Sequence, residues 1–124
     1  MSVDAFDDRL TKVRRRFVSK LRDRVDATDA LIPKLGGDTA GAAAAAGEAY
    51  RCMHSIVGIG STVGFPATGR AAHEVEDLLR AAQNEHRGLS DDEISKLRER
   101  LIDLRAAVER EMQLFCRELN VTLD

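Results

Sequence analysis

His54 is the residue whose type and spacing are best suited to chemistry in this chain. It sits in the run Arg51-Cys52-Met53-His54-Ser55-Ile56-Val57-Gly58-Ile59-Gly60-Ser61-Thr62-Val63-Gly64-Phe65-Pro66. Read as a helix at about 100° per residue, this run gathers Ala49, Cys52, Met53, Ile56, Ile59, Gly60 and Val63 on one side. His54 falls opposite, with Tyr50, Arg51, Gly58 and Ser61 around it. The imidazole should therefore stand in solvent on a helix whose other face is core. Such a ring can act as nucleophile, base or ligand near neutral pH. A second polar pair, His73 and Glu76, follows one helical turn apart. Spacing alone favours an ordinary surface histidine for His54, and Glu76 could equally be an ordinary exposed helix glutamate. A di-iron site would need carboxylates and histidines projecting into the core from several helices. The chain has a single His73-x-x-Glu76 pair and apolar core positions on its outer helices, so no metal is expected.

The elements that must position these residues are all helical. Val3, Phe6, Leu10, Val13, Phe17, Leu21 and Val25 recur at steps of three and four, which predicts an amphipathic helix from about position 3 to about Leu31. Pro33 should end or break it, and Gly36-Gly37 makes a loop. Asp38 or Thr39 is the expected cap of a second helix that begins in the alanine-rich stretch from Ala40 to Gly47, carries His54 and closes at Gly64. A third helix is expected from between Pro66 and Gly69 to about His86, burying Ala71, Ala72, Val75, Leu78, Leu79 and Ala82. His86 would complement its C-terminal dipole. Arg87-Gly88 is a turn, and Ser90-Asp91-Asp92-Glu93 is a capping box. Ile94, Leu97, Leu101, Leu104, Val108, Met112, Phe115 and Leu119 then mark a fourth helix. No strand pattern occurs. Short connections between four amphipathic segments predict an all-α, antiparallel up-down-up-down four-helix bundle with a long N-terminal helix.

Composition bounds the function classes. The 124 residues are long enough for one domain with its own core, expected to span 1–124. Charged residues make up 32% but nearly balance, with a net charge of −2, which argues against a dedicated nucleic-acid binder despite Arg14-Arg15-Arg16. Tryptophan is absent and aromatics are few, so base-stacking platforms are not expected. Cys52 and Cys116 occupy apolar helical positions and read as buried thiols in a reducing compartment. With no signal-peptide pattern and no membrane-span-length apolar run, a cytosolic protein is expected. From the opening methionine and the well-patterned last helix, a whole small protein is expected.

His54-Ser55-Ile56-Val57-Gly58, continuing to Thr62-x-Gly64-Phe65, resembles the signature of histidine phosphotransfer (HPt) domains, especially the version found in chemotaxis histidine kinases. Ala71-Ala72-His73-x-x-Glu76-Asp77-Leu78-Leu79 is similar to the next helix of that family. The resemblance covers roughly the middle third of the chain. It implies a phosphoryl carrier without its own ATP site, exchanging a phosphoryl group on His54 Nε2 with the aspartate of a response-regulator receiver domain or with a histidine kinase or hybrid kinase. It implies no cofactor, with magnesium brought by the receiver. By the same resemblance Glu76 accepts from Nδ1–H and orients the ring, and His73 supports the site.

Gly58, one turn after His54, would let partner loops approach, so Val57, Gly58 and Ser61 form the expected docking surface. Where the family usually has lysine three residues after the histidine, this chain has Val57. Arg51, one turn before His54, is the candidate substitute charge. A monomer is expected, with no nucleic-acid or membrane partner. The alternatives are a phosphotransfer-deficient module that sequesters a receiver or kinase, and a structural dimerisation bundle.

Overall fold

A computed structural model describes residues 3–62 and 64–119, without the side chains of residues 3–8, 10, 116, 118 and 119. The described residues form four α-helices: α1 (Val3–Leu31), α2 (Ala40–Thr62), α3 (Pro66–Glu85) and α4 (Asp91–Leu119). A short 3-10 turn, Ile32–Lys34, follows α1 where Pro33 cannot continue the helical hydrogen bonding. Val63 and the side chains of Val3, Phe6, Leu10, Cys116 and Leu119 lie outside the described residues.

The helix ends have identifiable chemical causes. Thr39 rather than Asp38 caps α2, its Oγ1 accepting from the Ala42 N–H at 3.0 Å. Gly64, at φ 87°, makes the left-handed turn out of α2. Pro66 then opens α3. The free N–H groups of Ala67 and Thr68 donate to the Glu111 carboxylate at 3.2 and 2.6 Å, so α4 caps α3 across the bundle. His86, at φ 53°, takes the left-handed position that ends α3. It serves through its backbone, beyond the side-chain dipole role expected of it. The capping box is formed in both directions: the Glu93 N–H donates to Ser90 Oγ at 3.2 Å, and the Ser90 N–H to Glu93 Oε1 at 2.9 Å. Gly88 has no room for a side chain, because a Cβ would collide with the Leu35 and Gly37 carbonyl oxygens. The Leu89 N–H donates to Leu35 O at 2.7 Å and ties the two loops together.

The core is a continuous set of leucines, valines, methionines and alanines from all four helices, with Phe65 contributed by the α2–α3 turn. Phe65 packs edge-on against Phe17 at 5.4 Å and against Phe115 at 5.9 Å between ring centroids, closing that end. α2 and α3 pack most closely, because Ala42, Ala45, Ala46 and Ala49 are buried with little volume. At the end of α2, a Cβ on Gly60 would lie 3.1 Å from Gly69 Cα, so the two glycines set the approach of the backbones.

Core expectations are not met at Cys52, which is only half-buried, and at Val13, which lies on the apolar stripe of α1 and is 46% exposed. Val13 borders a groove where α2 presents Gly58, which has no side chain to cover it.

Candidate functional site

α2 places Tyr50, His54 and Gly58 one turn apart along one edge, and α3 places Glu76 and Arg80 one turn apart opposite them. The register that brings the two edges together is visible along the whole pair. A Cβ on Gly47 would touch Gln83, His54 meets Glu76, and Gly60 meets Gly69. Residue numbers rise on one helix as they fall on the other.

His54 Nδ1 lies 2.9 Å from Glu76 Oε1. The two ends of this bond differ in environment: the His54 side chain is 70% exposed and that of Glu76 only 5%. Burial pushes the Glu76 carboxyl up, but the hydrogen bond and charge of His54 outweigh it, with Tyr50 and Arg80 adding to the effect. The carboxyl is held below its ordinary value. An ionised carboxylate only accepts, so Nδ1 must carry the hydrogen and donate it. In the neutral ring this leaves the Nε2 lone pair free and facing solvent. The Tyr50 ring stacks on the imidazole with centroids 6.0 Å apart and planes 12° apart, which further restricts it. Arg80 Nη2 approaches the same Glu76 oxygen at 3.5 Å, while Nη1 pairs with Asp77 at 2.6 Å. Glu76 Oε2 is buried and has no hydrogen-bond partner.

The other residues singled out from the sequence are placed differently. His73 is exposed on α3 and pairs within its own helix, Nδ1 to Asp77 Oδ2 at 3.3 Å, not with His54 or Glu76. The Arg51 guanidinium rests over Gly47, where a Cβ would be 3.5 Å from Nη1, about two turns to the N-terminal side of His54. Helical side chains lean that way. Val57 is half-buried and packs against the core. Gly58 and Ser61 are exposed, and nothing lies within 4 Å of where a Gly58 Cβ would be. Arg80 belongs to no motif in the sequence, and Tyr50 stands there only as a neighbour of His54. Their four-residue spacing from Glu76 and His54 is the signal that marks them.

An exposed imidazole with one nitrogen tied to a buried carboxylate and the other free is a nucleophile held in one tautomer. No helix among the described residues is long and apolar enough to cross a membrane. No curated protein and no solved structure matches the chain. A family model of the Hpt domain matches residues 12–107, well over half of the chain and inclusive of every residue of this site. Hpt domains are phosphocarrier modules that work with kinases and receiver domains in phosphorelays. The helical architecture and this match together place the chain in the Hpt domain family.

Proposed function

We propose that the chain is a histidine phosphotransfer protein of a two-component phosphorelay, with His54 as the phosphoryl carrier. The observation that carries the reading is the 2.9 Å bond from His54 Nδ1 to the buried Glu76, which leaves Nε2 free on an exposed ring. The Nε2 lone pair attacks the phosphorus of a receiver's aspartyl phosphate. An N–P bond forms, the P–O bond breaks, and the aspartate carboxylate leaves with the electron pair. The ring becomes cationic, keeps its Nδ1 hydrogen, and is stabilised by Glu76. Onward transfer is the reverse step with a second receiver, and charging by a kinase places the same group on the same nitrogen. The receiver or kinase supplies magnesium.

In this reading positions 1–124 form one antiparallel up-down-up-down bundle, and the α2–α3 contacts, which run in opposite senses, support the antiparallel arrangement of that pair. The chain is monomeric and cytoplasmic in the same reading. Gly58 and Ser61 give the partner access, with Val57 at the edge of that surface. With valine at position 57, Arg51 supplies charge to the phosphoryl oxygens once its side chain turns from Gly47 toward His54. His73 keeps a supporting place through Asp77.

The test is intact mass after mixing with phosphorylated receiver domains and magnesium, beside His54→Gln. One added, acid-labile phosphate that is absent from the variant supports the proposal. Binding without transfer would instead make the chain a module that sequesters its partner.

A further inference from the structure

A groove of about 350 Å³ runs between α1 and the second half of α2, directly beside the His54 edge. Val13, Phe17 and Ile59 supply its apolar lining, and Gly58, one turn from His54, forms part of its wall. Its α1 side carries Arg16, Lys20 and Arg24, spaced four apart.

Charges on the two sides of α1 are treated differently. Toward α4 they are matched: Arg22 pairs with Glu109, and Asp26 and Asp29 pair with Arg105. Toward the groove, none of the ion pairs among the described residues uses Arg16, Lys20 or Arg24. α2 cannot supply the missing acids, since its sequence carries no carboxylate after Glu48. Asp23 shares that side of α1 by helical phase and is not joined to the three bases by any of these pairs. A chain of net charge −2 therefore keeps three bases in a row along an apolar groove next to its nucleophile.

We propose that Arg16, Lys20 and Arg24 select the partner by charge. The partner that docks over His54 is a receiver domain whose surface beside its phosphoacceptor aspartate is acidic and carries an apolar side chain that seats against Val13 and Ile59. Complementary charge steers encounter and rejects wrong partners more than it adds affinity. The apolar contact supplies the rest. This inference rests on the proposed function for the identity of the partner, while its test does not require phosphate transfer.

The probe is a receiver domain with such an acidic face, together with a variant of it whose surface acids outside the phosphorylation pocket are amidated to asparagine or glutamine. Binding of each is titrated with the parental chain, with the triple variant Arg16→Glu, Lys20→Glu, Arg24→Glu, and with the neutral triple Arg16→Gln, Lys20→Gln, Arg24→Gln. Thermal melts verify that these surface variants fold. Charge reversal is expected to raise Kd for the acidic receiver by about tenfold or more at low salt. The neutral triple should fall between, and the amidated receiver should be nearly indifferent. Equal Kd for parent and reversed variant, or equal loss against both receivers, overturns the proposal. So does failure of the acidic receiver to bind while a DNA duplex binds through the same three bases. Charge-dependent binding with no phosphoryl ever found on His54 would remove the proposed function and leave this inference standing. Phosphotransfer that is indifferent to the three charges would do the reverse.

Discussion

Replacing Glu76 with glutamine should slow phosphorylation of His54 while leaving the chain folded. Glutamine keeps the shape and an acceptor oxygen but removes the charge. The imidazole becomes cationic as Nε2 bonds to phosphorus, with Glu76 Oε1 2.9 Å from Nδ1. Two unit charges about 4 Å apart at an effective dielectric near 20 interact by roughly 4 kcal/mol. The ring is 70% exposed, so solvent screens much of this. Hydrogen bonds to charged groups contribute about 1.5–3 kcal/mol in mutational series. Part of that already exists with the neutral ring, and only the increase in the transition state affects the rate. About 1–2 kcal/mol remains, or roughly 5- to 30-fold in rate. Stability should fall only modestly, because a carboxylate held below its ordinary value favours the folded state at neutral pH, while the glutamine oxygen can still accept from Nδ1–H. The assay is single-turnover transfer from a phosphorylated receiver, with urea unfolding alongside. A parental rate in Glu76→Gln would refute the reasoning, and so would a rate loss matched by loss of the folded state.

Gly58→Ala and Gly60→Ala should separate docking from packing. A Cβ at Gly58 meets nothing within 4 Å, so alanine should stabilise the helix by up to ~1 kcal/mol while slowing transfer from a receiver. Phosphorylation by the small donor phosphoramidate should be spared, and an unchanged receiver rate would count against Gly58 as the approach surface. At Gly60 the new Cβ would press on Gly69 backbone at 3.1 Å, and a loss of about 1–3 kcal/mol in urea unfolding is expected. Glu111→Ala leaves the first N–H groups of α3 without their acceptor and should cost about 1–2 kcal/mol. Equal denaturation midpoints for variant and parent would show that water replaces the cap fully. For pH, the Arg87 hydrogen bond holds Glu93 below the ordinary carboxyl value, and His54 overcomes burial to do the same at Glu76. A folded pKa below the unfolded one contributes stability above the unfolded value, lost as pH falls through the folded one. Tm should hold down to the usual carboxyl range near about 4.3 and drop beneath it. Arg87→Ala should make that drop shallower, and an unaltered slope would remove Glu93 from the account.

What the sequence by itself determined is local. Apolar spacing located four helices, Pro33, Gly64 and Pro66 marked their ends, and Ser90 with Glu93 announced a cap that forms as read. The helical phase of α2 alone put His54 on the solvent side. These features follow from interactions within four residues, which any sequence window contains. The resemblance at His54–Gly58 added the family and a partner for the ring.

Tertiary structure decided what depends on register between helices. Glu76 meets His54 because small residues at Gly60 and Gly69 let α3 lie close to α2 at one offset. The same offset adds Arg80 and Tyr50 to the site and leaves His73 with Asp77. Glu111, far along the chain, caps α3, and Val13 borders an open groove because the facing residue is glycine. Side-chain volumes meeting across the bundle set these outcomes, and periodicity along a single helix carries no record of them.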